Sequence, residues 1–270
     1  MSYATIMVYV ETDGTPRERV RLSAQLASKF NATLIGVSAR AIRPPILVDG
    51  IAVATPPDGI PDIEARLADK AEWLRLVADR PKVLWRSAID FPVDALAREA
   101  RSADLVVIGP MLVPGDSYCS LDPGEAILRL GRPALFVPGD FGAMQAEHVV
   151  IAWKDVREAR RAVQDALPLL YEASRVTIAE ICEPGDEERT QERLGDVASY
   201  LERHRIKGGP RVILHREGPG GAQLIKLAQE EGADLLVTGA YGHSRLGEWV
   251  FGGVTRDLLG NSPICCLMSH

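Results

Sequence analysis

An internal repeat constrains the fold of this 270-residue chain more than any single motif does. Residues 103–109 recur as residues 233–239, and five of the seven residues are identical at an offset of 130. Near the start of each repeat, the apolar residues 5–10 and 148–153 match in pattern at an offset of 143. The sequence therefore predicts two copies of one folding unit, of which the first is the longer.

The additional length of the first repeat is predicted to lie in residues 41–62, which contain five prolines. Proline lacks a backbone N–H and breaks both helices and central strands, so this stretch predicts a long loop. Between the repeats, residues 139–143 are the only segment typical of a turn. We therefore expect two closely packed domains, residues 1–142 and residues 143–270, joined by a short linker.

Apolar runs alternate with amphipathic stretches through the second repeat. The runs predict strands at residues 149–153, 176–181, 211–215, 234–238 and 264–268, and the stretches between them predict helices at residues 157–173, 186–207, 222–231 and 254–261. Nearly continuous Val, Ile and Leu runs that alternate with helices are typical of parallel strands covered on both faces. The predicted fold class is α/β, with two repeats of a five-stranded, doubly wound parallel-sheet sandwich.

Composition excludes several classes of partner and site. A net charge of −6 provides no cationic field to attract nucleic acid. No stretch reaches the length of an apolar membrane span and no leader pattern precedes the first strand, so we expect a cytoplasmic protein without a membrane partner. The four cysteines form no metal-binding spacing, and no metal site is predicted.

A glycine-rich loop follows the strand predicted at residues 234–238. In open α/β sheets, ligands bind beyond the carboxyl ends of the strands, and such loops direct backbone N–H groups towards anions. We expect positive φ at Gly239 and Gly242, close approach of a phosphate at Gly252 and Gly253, a hydroxyl from Thr255 and a mobile cation in Arg245. By contrast, Trp153 is interpreted as a core residue in preference to a platform for base stacking.

The spacing of this loop resembles the nucleotide-binding loop of the universal stress protein family, which has G-x-x-G, nine residues and G-[ST]. Gly239, Gly242 and Gly252 match that spacing, whereas Gly253 stands where the family has Ser or Thr. The resemblance covers essentially the whole chain as a tandem of two such domains. It differs at the end of the first strand, where Lys154 aligns with the family's Asp. The contact made by that carboxylate is absent unless the adjacent Asp155 replaces it.

The resemblance implies a ligand and the residues that bind it. Phosphates and ribose of ATP, with or without Mg²⁺, would contact Gly239, Gly242, Gly252, Gly253 and Val254, and adenine would lie between Ala152 and Ile181. The first repeat has Leu112 in place of Gly242 and the acidic Asp122 and Glu125 in place of the phosphate loop, so at most one nucleotide per chain is expected.

Three functions remain open at this point. The first is a stress-response regulatory protein that binds an adenine nucleotide and has an unknown protein partner. The second is an interaction module without nucleotide, built as an intrachain pseudo-dimer through the final strands that end at Val137 and Met268, as the family's pairing implies. The third is slow ATP hydrolysis, although no general base is visible in the loop and the sequence contains no Walker motif. Association into a homodimer is compatible with each of them.

Overall fold

The computed structural model describes residues 2–48, 51–54, 59–80, 82–215, 217–242 and 253–270. The chain divides into two compact units, which we call the first unit (Tyr3–Leu130) and the second unit (mainly Gly131–His270).

The first unit contains a parallel sheet and a separate hairpin. Its strands and helices are β1 (Thr5–Tyr9), α1 (Arg17–Lys29), β2 (Thr33–Ala39), β3 (Ile46–Val48), β4 (Ile51–Ala54), α2 (Ile60–Ala78), β5 (Val83–Ala88), α3 (Pro92–Glu99), β6 (Leu105–Ile108) and α4 (Pro123–Leu130). Strands β6, β1, β2 and β5 pair in that order, all parallel.

The proline-rich segment is more ordered than the sequence predicts. Strands β3 and β4 pair antiparallel within it, and α2 already begins at Ile60. The prediction of one long loop at residues 41–62 is therefore wrong. The prolines that the structure describes do not interrupt these elements, because Pro44 and Pro45 precede β3 and Pro61 occupies the first turn of α2, where a missing N–H costs nothing.

The second unit repeats the alternation of strands and helices. Its elements are β7 (Ala134–Phe136), β8 (His148–Ala152), α5 (Arg157–Leu170), β9 (Arg175–Cys182), α6 (Glu187–Arg203), β10 (Gly208–Leu214), α7 (Gly220–Glu230), β11 (Leu235–Gly239), α8 (Gly253–Asn261) and β12 (Cys265–Ser269). Five strands pair parallel in the order β10, β9, β8, β11, β12. The α/β class is confirmed.

Strand β7 pairs antiparallel with β12, so the predicted pairing of the two final strands is confirmed. In the sequence β7 ends the first repeat, but in the structure it belongs to the second unit. The repeats of the sequence and the compact units of the structure therefore differ by this segment.

The buried strands position the functional edge of the second unit. Every residue of β8 and of β12 is buried, and α5 covers β11 and β12 with small and branched apolar side chains such as Ala162, Val163 and Ala166. Because β8, β9 and β11 run parallel, their carboxyl ends meet at one edge. In the part of the chain that the structure describes, no helix is long and apolar enough to cross a membrane.

Candidate functional site

One pocket of about 670 Å³ lies at the carboxyl ends of β8, β9 and β11, beside the first turn of α8. We call it the strand-end pocket. Seven of the nine candidate residues line it, namely Ala152, Ile181, Gly239, Gly242, Gly253, Val254 and Thr255. The other two, Arg245 and Gly252, lie outside the described residues. The fold thus brings residues of three strands, a loop and a helix together around one pocket.

Gly239 is required by close packing and not by its backbone angle. A Cβ at this position would lie 2.5 Å from the backbone nitrogen of Ala159, in the first half of α5. The prediction of positive φ at Gly239 and Gly242 is wrong, because neither has φ in the left-handed region, whereas Tyr241 has a φ of 55°. The tight turn is therefore made by the tyrosine between the two glycines, and Gly239 lets α5 approach the end of β11.

Next to this turn, Gly242 faces a buried carboxylate. A Cβ at Gly242 would lie 3.7 Å from Oε2 of Glu158, a residue that is 2% exposed. Burial is the largest single influence on Glu158 and disfavours its charged form. The hydrogen bond from the Arg157 guanidinium, a backbone hydrogen bond and the charges of Arg157 and His270 together outweigh this cost and hold the pKa of Glu158 below its usual value. Glu158 is therefore an anion beneath the loop, paired with a cation of its own helix.

Gly253 and Thr255 begin α8 on the other side of the pocket. Among the described residues, a Cβ at Gly253 would meet no atom within 4 Å, so they leave room for a side chain at this position. Thr255 is 3% exposed, and its hydroxyl accepts a hydrogen bond from the backbone N–H of Tyr241 at 3.3 Å. The threonine expected to contact phosphate thus also fastens the turn to the helix.

Both cationic and acidic side chains line the pocket, and they differ in how exposed they are. Lys154 and Arg256 line the pocket with exposed side chains. Of the lining carboxylates, Glu180 is 7% exposed and receives hydrogen bonds from Arg193 at 2.6 and 3.3 Å, which neutralise its charge. Lys154 and Arg256 are therefore more exposed than the lining carboxylates Glu180 and Asp257, of which the first is buried and the second half-buried.

Two residues after β8 behave differently from their expected roles. Asp155 does not line the strand-end pocket and forms an ion pair with Arg160 instead, so it is not placed to replace the family's aspartate. Trp153 is only half-buried and lines the pocket, so its interpretation as a core residue is wrong. Its indole Nε1 is buried and has no hydrogen-bond partner among the described residues.

Several lining residues belong to no sequence motif that would have marked them as part of a site. These lining residues either lie outside any recognisable motif or stand among the glycines that drew attention in the sequence. They are Glu180, His215, Tyr241, Arg256 and Asp257. Their positions at strand ends and in the first turns of helices were the available signal. Which of them face a common space depends on strand order, which a single sequence does not specify.

The equivalent place in the first unit is filled by protein atoms. A Cβ at Gly109 would lie 2.5 Å from Cζ of Arg19, whose guanidinium forms an ion pair with Glu11 at 2.7 Å. These two side chains are 1% and 2% exposed. At the start of α4, the carboxylate of Asp122 accepts a hydrogen bond from the backbone N–H of Glu125 at 3.0 Å. A side-chain carboxylate thus occupies the helix end that would otherwise attract an anion.

Comparison with known proteins identifies relatives of this architecture. Residues 145–270 match the model of the universal stress protein family. A universal stress protein from Archaeoglobus fulgidus aligns with 98% of this chain and 95% of its own, at 12% identity and a TM-score of 0.70. A protein of unknown function from Pseudomonas aeruginosa aligns with 99% of this chain and 92% of its own, at 15% identity and a TM-score of 0.61.

A universal stress protein in complex with cAMP aligns with 51% of this chain and 98% of its own, at 22% identity and a TM-score of 0.37. A sequence comparison with curated proteins finds no match. The two solved structures that align with nearly the whole chain, from Archaeoglobus fulgidus and Pseudomonas aeruginosa, show that it shares their fold.

Proposed function

We propose that this chain, whose residues 145–270 belong to the universal stress protein family, is a stress-response regulatory protein that binds ATP in the strand-end pocket. We propose that the chain binds ATP without catalysing a reaction on it. One observation carries it: seven residues chosen from sequence spacing and resemblance line a single pocket of about 670 Å³. That volume is within the range of small-molecule sites, roughly 300–1,000 Å³.

The lining suits the two ends of a nucleotide. Ala152 and Ile181 provide apolar surface for a base at the ends of β8 and β9. The first turn of α8, with Gly253 and Val254, directs backbone N–H groups and the positive end of the helix dipole towards phosphate. Lys154, which stands where the family has an aspartate, would add a cation for phosphate in exchange for the lost carboxylate contact.

Calorimetry with a matched pair of lysine variants tests the proposal. We expect wild-type chain to bind ATP, and Lys154→Ala to bind it about five- to tenfold more weakly, because a charge-assisted contact contributes about 1 kcal/mol or more. Lys226→Ala, on α7 and outside the pocket, should leave the affinity unchanged.

Adenosine separates the phosphate contact from base binding in the same experiment. Its affinity should not change in Lys154→Ala, because it carries no phosphate. If the wild type binds neither ATP nor adenosine at millimolar concentration, or if both lysine variants bind ATP as well as the wild type, the assignment fails. In the first case a module that binds a protein partner becomes the better proposal.

Exposed apolar side chains of the first unit favour that second candidate. Leu84 on the edge strand β5 is 50% exposed, and Ile89 and Phe91, which follow it, are 36% and 40% exposed. Apolar side chains gathered at a sheet edge are typical of protein contacts. Cross-linking of the wild type and of Leu84→Lys in cell extract tests this function, and equal recovery of the same partners would exclude this surface.

A further inference from the structure

Strand β5 of the first unit is an edge strand. In the part of the chain that the structure describes, it pairs only with β2. The backbone N–H of Arg40 donates to the carbonyl of Ala88 at 3.3 Å, so the backbone groups of Ala88 face β2. Because successive residues of a strand direct these groups to opposite edges, those of Trp85 and Ser87 point outwards. The edge of β5 therefore presents donors and acceptors to which a further strand can add.

The edge strand of the second unit, β10, is protected where β5 is not. The backbone N–H of His215 donates to the carbonyl of Cys182 on β9, which places Pro210 among the outward-facing residues of β10. Proline has no N–H to donate and blocks the addition of a strand at an edge. Residues 83–88 of β5 contain no proline. Of these two edges, that of β5 is the one that can accept a strand along its length.

A groove of about 770 Å³ runs along this edge, between β5 and α2. Trp85 and Ser87 line it from the strand, and a stripe of α2 lines it from the helix. The stripe follows helical spacing in steps of four, three and four residues, namely Glu64, Ala68, Ala71 and Arg75. Asp69 and Glu72 also line the groove but stand on the solvent side of the stripe by the same spacing. Small residues thus occupy the centre of the stripe, with opposite charges at its ends.

The residues along β5 are arranged almost symmetrically about Arg86. Lys82 stands four residues before it and Asp90 four residues after it, and apolar residues fill positions 83–84 and 88–89. If a second copy of β5 pairs antiparallel about a two-fold axis at Arg86, Lys82 of each copy meets Asp90 of the other. Each apolar residue then meets an apolar residue. The strand is therefore complementary to itself in one register.

The charges at the centre and end of this register are compatible with it. Arg86 would face its own copy, but its guanidinium already pairs with Glu99 at 2.7 Å. Asp90 pairs with Arg98 at 2.8 Å through one oxygen, while its other oxygen accepts the backbone N–H of Phe91. A carboxylate has about four lone-pair sites, so Asp90 can also accept the ammonium group of a facing lysine.

The same register satisfies the backbone and brings the helices together. Trp85 of one copy lies opposite Ser87 of the other, and both point outwards, so they form a hydrogen-bonded pair of the antiparallel ladder. Helix α2 packs on β2 and β5, so the two-fold axis sets the α2 helices of the two copies side by side and antiparallel. Glu64 of each copy then faces Arg75 of the other. Neither side chain forms an ion pair with a residue that the structure describes, and both are exposed.

We propose that the edge of β5 and the α2 stripe form the interface of a homodimer, in which the two β5 strands pair antiparallel about Arg86. A second copy is the occupant because charge and apolar residues along both the strand and the helix complement themselves under one two-fold axis. The exposed apolar side chain of Leu84 is covered in this assembly. The association does not depend on whether ATP occupies the strand-end pocket.

Sedimentation equilibrium of the full chain provides the first test. We expect a reversible monomer–dimer equilibrium with a dissociation constant in the micromolar range, on the order of 10 μM. A chain that remains monomeric up to about 100 μM would overturn the proposal. ATP at saturating concentration should leave the equilibrium unchanged, so the homodimer and the nucleotide site can fail independently.

Proline at an outward-facing position tests the strand pairing. Ser87→Pro removes the N–H that points away from β2, and the two-fold axis doubles this loss, so we expect dimerisation to weaken by about thirtyfold or more. Ser87→Ala keeps the N–H and is the matched control, which should dimerise like the wild type. Thermal unfolding shows whether Ser87→Pro is folded. A folded Ser87→Pro that dimerises as tightly as Ser87→Ala would exclude pairing through this edge.

A charge swap on exposed helix positions tests the antiparallel arrangement without altering the strand. Glu64→Lys and Arg75→Glu each set like charges against each other at both ends of the stripe and should weaken dimerisation by about tenfold. The double variant restores opposite charges and should recover wild-type association. Glu18→Lys, on the exposed face of α1 outside the groove, is the control and should have no effect. Single variants without effect, or a double variant weaker than either, would refute the arrangement.

Discussion

Glycines of the second unit satisfy two different physical demands. Gly239 allows the backbone of α5 to approach β11, because a Cβ there would lie 2.5 Å from the nitrogen of Ala159. At Gly253, in contrast, no atom of the described residues lies within 4 Å of the position of a Cβ. The fold therefore excludes a side chain at Gly239, whereas the described residues leave room for one at Gly253.

Gly253→Ser should keep or improve ATP affinity, by up to about tenfold, because it restores the family hydroxyl without a clash. Gly260→Ser, in the same helix but outside the pocket, is the matched control and should have no effect on affinity. Calorimetry measures both. A loss of affinity in Gly253→Ser that Gly260→Ser does not share would contradict the open geometry at this site.

Gly252→Val tests the neighbouring position, for which the prediction rests on the sequence spacing alone. The expected result is loss of ATP binding, because a branched side chain would prevent close approach of the phosphate. Equilibrium dialysis with labelled ATP measures it, and thermal unfolding shows whether the variant is folded. A folded Gly252→Val that binds ATP as tightly as the wild type would place the phosphate elsewhere.

The buried ion pair of the first unit should matter for stability and not for binding. Glu11→Gln leaves the guanidinium of Arg19 buried without a counter-ion, and we expect a loss of about 3–5 kcal/mol in the free energy of unfolding. Glu18→Gln removes an exposed partner of Arg21 and should cost less than about 0.5 kcal/mol. Urea unfolding compares them, and equal midpoints would show that the buried pair contributes little.

At the scale of helices and strands, α7 and α8 meet through a glycine. A Cβ at Gly221 would lie 2.4 Å from Cβ of Asp257, so Gly221→Ala should destabilise the second unit by about 1–3 kcal/mol. At Gly195, within α6, no described atom beyond the neighbouring helix backbone lies within 4 Å of the same position, and Gly195→Ala should stabilise the protein by about 0.5–1 kcal/mol. Thermal unfolding should thus give shifts of opposite sign, and shifts of the same sign would refute the packing argument.

Sequence patterns predicted the elements of the second unit closely because most of its strands contain a short apolar run, as in β8, β11 and β12. The strand predicted at residues 149–153 is β8 (His148–Ala152), and the helix predicted at residues 186–207 is α6 (Glu187–Arg203). The hairpin of β3 and β4 escaped prediction because prolines suggested irregular structure, although those described here stand outside its strands.

The sequence could indicate the glycines of the candidate site, because their spacing reflects backbone geometry, but it could not indicate side chains that meet across elements. The glycines could be found from their separation along the chain, but the pairing of Glu180 with Arg193 depends on how β9 and α6 pack. The predicted role of Gly239 was wrong for the same reason, because glycine is needed there to let α5 pack closely and not to form the turn.

For the whole molecule, two repeats are expected to provide one nucleotide site. The strand-end pocket belongs to the second unit, while Arg19 and Glu11 fill the corresponding place in the first. Calorimetry should therefore give one ATP per chain. A stoichiometry of two equivalent sites would mean that the buried pair of the first unit is displaced by ligand.

Strand β7 gives the molecule a property that neither repeat has alone, because a segment encoded with the first repeat covers the edge of the second unit's last strand. Cutting the gene at the repeat boundary would leave β12 with unpaired backbone groups, which invite strand exchange between chains. We expect a fragment of residues 143–270 to self-associate more strongly in gel filtration than a fragment of residues 131–270, in which the three-residue strand β7 covers β12. The boundary between the two sequence repeats is therefore not a boundary at which the folded chain can be divided.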